Sequence, residues 1–189
     1  MVYANFINMV FAMEKEVFIF REINVEDANN LIVFFNDLDN TSEFMLLEPG
    51  ERKTSVEEQA DIIKGFGKDR QMLICEDNKN IVGFIVISRG VFNRNRHLGS
   101  IALGVKKEYR NKGIARTLID KAQDWSRKNG ISRLELTVAI KNTLAIKRYL
   151  SSGFIFSGIR TGSLFINGEL IDEYYMNKEI MTKEISDGN

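Results

Sequence analysis

The residues of this chain with the most chemical potential lie in Val105-Lys-Lys-Glu-Tyr-Arg110-Asn111-Lys112-Gly113-Ile114-Ala115. Ser100–Val105 before it is apolar enough for a buried strand. After it, Ile114, Ala115, Leu118, Ile119, Ala122 and Trp125 recur at helical spacing through Asn129. A strand, a tight turn and a helix start leave several backbone N–H groups unpaired and pointing outward. The helix dipole adds positive potential at the same place. A phosphate or pyrophosphate is the natural guest. Gly113 removes the Cβ that would hold an anion off the backbone. Arg110, Lys112 and Arg116 surround the opening with cations. Neither the Gly-x-x-x-x-Gly-Lys-Ser/Thr nor the Gly-x-Gly-x-x-Gly phosphate motif is present. Alone, the stretch reads as an ordinary strand–turn–helix with a basic surface, since two or three fixed positions match by chance.

A second constellation follows in Asn142-Thr-Leu-Ala145-Ile-Lys-Arg148-Tyr149-Leu-Ser-Ser-Gly153-Phe154. Asn142, Ala145 and Tyr149 fall at i, i+3 and i+7, so they share one helix face. The plain reading makes Asn142 a cap and Ala145 and Tyr149 core. Cys75 is the sole cysteine, which excludes an internal disulfide and a cysteine-rich metal site. Its neighbours, Met72-Leu73-Ile74, make it a buried thiol. A single histidine argues against a histidine-rich metal centre.

Elements to hold these residues can be read along the chain. A strand runs Val17–Ile23, and Asn24 caps a helix carrying Ala28, Leu31, Ile32, Phe34 and Phe35. Thr41–Lys53 is a loop with Glu43, Glu48, Glu51 and the only proline. A second helix starts at Thr54 or Ser55, with Glu57 and Glu58 favoured by its dipole. Met72–Glu76 and Ile81–Ser88 flank the polar turn Asp77–Asn80 as a hairpin. Both strands are almost continuously apolar, as strands covered on two faces are. Arg89–Arg96 is a basic loop leading to a strand over His97–Val105. Arg133–Val138 alternates as a strand. Phe154–Leu164 and Glu169–Lys178 pair across Ile166-Asn-Gly-Glu169. The order predicts one α/β domain, a mixed sheet of about seven strands with helices on both faces.

With 189 residues the chain suffices for one domain with a real core. Hydrophobic content is 44%, and 26 basic residues balance 26 acidic ones, so nothing marks a nucleic-acid binder. No apolar run approaches the ~20 residues of a membrane span. Residues 1–13 read as an N-terminal extension, 14–181 as the domain and 182–189 as a disordered tail. No signal-peptide pattern is present, so a cytoplasmic protein is expected.

Taken together, the two constellations resemble the GNAT superfamily of acetyl-CoA-dependent N-acetyltransferases, over roughly residues 17–180. Val105–Ala115 is similar to the family's V-x-x-x-Y-R-x-x-G-I-G/A loop. Asn142, Ala145, Tyr149 and Gly153-Phe154 are similar to its N-x-x-A-x-x-x-Y-x-x-x-G-F helix and strand.

The resemblance implies acetyl-CoA as co-substrate and no metal. Its pyrophosphate would rest on the backbone of Arg110, Asn111, Lys112, Gly113, Ile114 and Ala115. Its pantetheine arm would pair with the strand edge at Leu103, Gly104 and Val105. Lys112, Arg116, Lys147 or Arg148 would take the remaining phosphate, with Asn142 and Ala145 on the same side. Tyr149 would be the general acid for the departing thiolate, and a backbone N–H of a bulged strand near Val105 would stabilise the oxyanion. Glu135, His97, Glu43 and Glu48 remain open as helpers in deprotonating the amine. Some relatives that act on N-terminal amines carry a glutamate where this chain has Thr137. Acceptor choice would lie in Thr41–Lys53 and Arg160–Asn167, where Glu43, Glu48 and Glu51 would favour a cationic acceptor such as a polyamine or peptide amine; their plainer reading is a solvated acidic loop. The expected activity is acetyl transfer to a primary amine of a small molecule or of a protein or peptide N-terminus. A non-catalytic CoA-binding domain is the alternative. Expected partners are acetyl-CoA and the amine, with no nucleic acid or membrane; a homodimer is left open.

Overall fold

The structure, a computed structural model, describes residues 17–180. The extension expected over residues 1–13 and the tail over 182–189 lie outside them. In chain order the elements are β1 (Ile19–Glu22), α1 (Ala28–Thr41), α2 (Val56–Lys64), β2 (Arg70–Asp77), β3 (Asn80–Arg89), β4 (Leu98–Val105), α3 (Ile114–Lys128), β5 (Arg133–Ala139), α4 (Thr143–Ser151), β6 (Ile155–Ile166) and β7 (Glu169–Glu179). The strands make one seven-stranded sheet in the order β1-β2-β3-β4-β5-β7-β6. Among the described residues, no helix is long and apolar enough to cross a membrane.

The continuous apolar runs of β2 and β3 are buried from both sides. On one face Leu31, Phe34 and Leu38 of α1 pack on Met72, Ile74 and Phe84. On the other, Leu118, Ile119 and Ala122 of α3 pack on Leu73, Cys75, Ile85 and Ile87. Each fully buried leucine or isoleucine contributes about 2 kcal/mol, so the two helices are fixed firmly to the sheet. Both hairpin turns have two central residues in the left-handed region, Asn78 (φ 47) with Lys79 (φ 65), and Asn167 (φ 52) with Gly168 (φ 83). That geometry matches strand twist, and asparagine and glycine tolerate it best.

Several details differ from the sequence reading. Asn24 opens a single 3-10 turn, Val25–Asp27, before α1 begins; its N–H donates to the Asp27 carboxylate at 2.9 Å. β6 is interrupted between Arg160 and Leu164. There Gly162 adopts φ 55 and its N–H donates to Asp172.

The feature that matters for function is a gap in the sheet. β4 and β5 run parallel but pair only from Leu98↔Arg133 to Ser100↔Glu135. Beyond Ser100 the strands separate, leaving the edge of β4 from Ile101 to Val105 without a strand partner on that side. The expected bulge in β4 is not there. Its register with β3 runs unbroken from Gly99 to Val105, and the free edge of β4 comes from its divergence from β5 instead.

Candidate active site

The open end of β4 leads straight into the anion-type loop. A 3-10 turn, Lys107–Tyr109, and then Asn111 in the left-handed region (φ 63), carry the chain round to α3. Gly113 takes the N-cap position at φ 83, a conformation that costs other residues. Nothing lies within 4 Å of where its Cβ would stand. α2 and α4 close their own first turns: Ser55 accepts from the Glu58 N–H, and Asn142 from the Ala145 N–H. α3 has no side-chain cap. Its first internal bond is Thr117 N–H to the Gly113 carbonyl, so the preceding N–H groups have no partner within the helix, the arrangement that suits an anion. Two contacts set the approach. The Tyr109 hydroxyl donates to Asp77 at 2.9 Å, tying the turn to the end of β2. Arg110 Nε reaches the Val105 carbonyl at 3.4 Å.

This corner is one wall of a cleft of about 740 Å³. β4 contributes Leu103, Gly104 and Val105. The loop and α3 contribute Arg110, Asn111, Gly113, Ile114 and Ala115. α4 contributes Asn142, Ala145, Arg148 and Tyr149. Two predicted residues do not line it. Lys112 places its ammonium 5.2 Å from the centre of the Tyr109 ring, and Arg116 faces Asp120 at 3.9 Å. Lys107 and Lys147 join Arg110 and Arg148 to make the α3–α4 side strongly cationic. The uncapped helix start, the cations and the partnerless strand edge suit a long anionic cofactor with a strand-like arm.

Tyr149 is both core and site. It is 6% exposed and stacks edge-on against Phe154, with ring centres 5.6 Å apart. It lines the cleft, and among the described residues its hydroxyl has no hydrogen-bond partner. Burial pushes its pKa up to about 12. α4 is held at its far end by Lys178, whose ammonium donates to the Ser152 carbonyl at 2.6 Å.

The opposite wall comes from the end of α1 and the following loop, through Leu38, Thr41, Ser42, Glu43, Phe44 and Met45. Of the four candidate proton acceptors, Glu43 alone lines the cleft. His97 precedes β4, at the end of that strand away from Val105. Glu135 lies back where β4 and β5 still pair, with Ser100 Oγ at 3.4 Å. Glu48 is exposed and outside the cleft lining, its backbone N–H donating to the Glu51 carboxylate at 2.8 Å.

The loop carrying Glu43 is anchored by a pair that sequence reasoning missed. Arg52 forks onto Asp39 with contacts of 2.7 and 3.2 Å, and its guanidinium lies 4.4 Å from the centre of the Phe35 ring. Asp39 is 4% exposed. Removing Arg52 strands a buried carboxylate at a cost of about 3 kcal/mol or more. Arg52→Ala is expected to loosen this wall. The acceptor KM should rise several-fold while the cofactor Kd stays within about twofold. Parallel losses in both would show that the loop does not belong to the acceptor side. No sequence signal points to this pair, since Asp39 and Arg52 are an ordinary helix acid and loop base. Lys107, inside the Val105–Ala115 stretch, and Lys141, directly before Asn142, both line the cleft.

Comparison with known proteins agrees with this geometry. A family model described as the Acetyltransferase (GNAT) family matches residues 34–154. The L-amino acid N-acetyltransferase AaaT of Escherichia coli is 32% identical over 111 residues, spanning 57% of this chain and 66% of that enzyme. The spermidine N(1)-acetyltransferase of Vibrio cholerae is 28% identical over 144 residues, covering 74% of this chain and 82% of that one. A crystal structure of a GNAT-family acetyltransferase from Streptococcus pneumoniae superposes with a TM-score of 0.83 at 28% identity, covering 87% of this chain and all of that one. With the family model spanning more than half of the chain, and with its two motifs meeting in one cleft, the chain belongs to the GNAT acetyltransferase family.

Proposed function

We propose that the protein transfers the acetyl group of acetyl-CoA to a primary amine by direct attack, both substrates being bound at once. The observation that carries this is the convergence of the uncapped start of α3, the partnerless edge of β4 and the Tyr149 hydroxyl on one cleft. When bound, acetyl-CoA supplies an acetyl thioester, a carbonyl carbon already activated toward nitrogen.

The chain's own groups then have distinct tasks. The N–H groups between Gly113 and Arg116, with Arg110 and Arg148, hold phosphate. Free backbone groups along Leu103–Val105 align the arm, and an N–H there faces the charge that grows on the carbonyl oxygen. Nitrogen forms its bond to the carbonyl carbon as the carbon–sulfur bond breaks and its electron pair leaves on sulfur. Tyr149 gives its phenolic proton to that sulfur. The extra proton on nitrogen leaves through water or through Glu43, the one carboxylate among the four candidates that reaches the cleft. The relatives' names span an amino acid and a polyamine, which supports a small amine as the acceptor, with a protein or peptide N-terminus as the other class.

A panel of free amines and peptides, read by release of the CoA thiol, tests the reading. Stoichiometric acetyl-CoA binding with amine-dependent thiol release is expected. Tight binding with no release above hydrolysis for every acceptor would leave only the role of a CoA-binding domain.

A further inference from the structure

We infer that Lys178 is a positioning residue for acetyl transfer: its ammonium fixes the end of α4, and with it the place of the Tyr149 hydroxyl in the cleft. This rests on the acetyltransferase reading above and adds a residue to it. Little else holds α4. It has nine residues, too few for a helix to be stable by itself. Tyr149 is the only one of them that is buried. Asn142 caps the start of the helix by accepting from the Ala145 N–H. Tyr149 lies in the last turn, and its surroundings refer it to the residues that follow. The Ser152 and Phe154 N–H groups both donate to the Tyr149 carbonyl, each at 3.0 Å. Gly153 turns the chain at φ 87, as glycine does at a helix end. Phe154, fully buried, packs its ring on that of Tyr149. Backbone and ring of Tyr149 therefore move with residues 152–154.

Lys178 ties those residues to the sheet. It stands on β7 opposite Leu134 of β5. Its ammonium donates to the Ser152 carbonyl at 2.6 Å. Its last methylene and its ammonium both lie 3.3 Å from where a Gly153 Cβ would stand, so the side chain passes directly against the turn. A cation there also meets the negative end of the helix dipole. Burial lowers the pKa of this ammonium, with Asp120 and Arg127 acting on it in opposite senses. The charge is thus kept in place against desolvation. A positioned acid works only within hydrogen-bond reach of the atom it protonates. Without Lys178 the turn and Tyr149 are free to shift together, and a misplacement of about 1 Å can cost ~10²-fold in rate. The pyrophosphate loop at the start of α3 has no contact with this clamp.

Lys178→Met keeps the stem and deletes the ammonium, and Lys178→Arg restores a cationic donor. At saturating substrates, well below the melting temperature, kcat of the methionine variant is expected to fall about tenfold or more. Acetyl-CoA Kd and amine KM should stay within about twofold, and the arginine variant should recover most of the loss. In a Tyr149→Phe background the same Lys178→Met change should cost less than about twofold, because the hydroxyl it positions is gone. A methionine variant with the parent's kcat overturns the inference. So does an equal loss in both backgrounds, which would make Lys178 a support of the fold alone. A second measurement needs no turnover. In protein labelled on its tyrosine rings, the Tyr149 magnetic resonance signal is identified by its loss in Tyr149→Phe. That signal should move or broaden in Lys178→Met and return in Lys178→Arg; an unmoved signal also overturns the inference. A moved signal in a protein that acetylates no amine would keep Lys178 as the residue that places Tyr149 and remove the acetyltransferase reading. Amine acetylation indifferent to Lys178→Met would do the reverse.

Discussion

Gly113→Ala is expected to weaken acetyl-CoA binding by roughly tenfold or more while the protein stays folded. Two separate effects follow from the geometry. The position sits at φ 83, where a Cβ costs about 1–2 kcal/mol of backbone strain. No protein atom lies within 4 Å of that Cβ, so no clash adds to the folding cost. The methyl instead enters the cleft at the mouth of α3, where the first N–H groups have no partner within the helix. A phosphate held off by that methyl loses charge-assisted hydrogen bonds, each worth about 1.5–3 kcal/mol. Affinity should therefore fall further than stability. Gly113→Val adds two methyls to the same effect at a larger strain, since a β-branched residue is poorly placed at positive φ. Calorimetric titration of acetyl-CoA beside a thermal melt separates the two. An alanine variant that melts a few degrees lower yet binds as tightly as the parent would place the pyrophosphate elsewhere.

Much of this corner is legible in the sequence because it depends on local chemistry. The strand, the turn and the periodicity after Gly113 specify a helix whose first turn lacks a cap residue, and Asn142 announces the start of α4 by its type alone. The turns at Asn78-Lys79 and Asn167-Gly168 are local in the same sense. The acceptor wall is not legible in this way. Glu43, Glu48 and Glu51 are equivalent as letters in a loop. The clamp of Arg52 on Asp39 and Phe35 ties the end of that loop back to α1, and of the three glutamates Glu43 is the one that lines the cleft. The width of the splay is likewise a property of the whole sheet. Nothing in Ile101–Val105 says that β5 leaves after Ser100. Lys112 and Arg116 show the converse limit, since proximity in sequence to Gly113 did not bring them into the cleft.

Tyr149→Phe is expected to lower kcat by about 10²–10⁴-fold, the usual contribution of a positioned acid, with little change in acetyl-CoA affinity. The substitution keeps the ring that packs on Phe154 and deletes only a hydroxyl that has no hydrogen-bond partner among the described residues. Stability near neutral pH should accordingly change by about 1 kcal/mol or less. Burial raises the phenol to about 12, which has consequences for both rate and stability. In rate, the hydroxyl stays protonated throughout the range where enzymes are assayed, so its ionisation should not turn the pH profile down below about pH 11. A phenol this weak gives up its proton only as a basic thiolate forms beside it, and the same dry surroundings raise the basicity of that thiolate. In stability, the folded protein disfavours the phenolate, so the contribution is intact below the unfolded value near ~10 and is lost as pH rises toward about 12. Tyr149→Phe should remove that alkaline loss, which reports the burial of the phenol and is independent of its part in turnover. The decisive comparison is kcat for both proteins under conditions where chemistry limits, beside direct cofactor titration. A phenylalanine variant that turns over at the parent's rate would return Tyr149 to the core and leave the sulfur to be protonated by water. A fall in affinity as large as the fall in rate would make the hydroxyl a binding group instead of an acid.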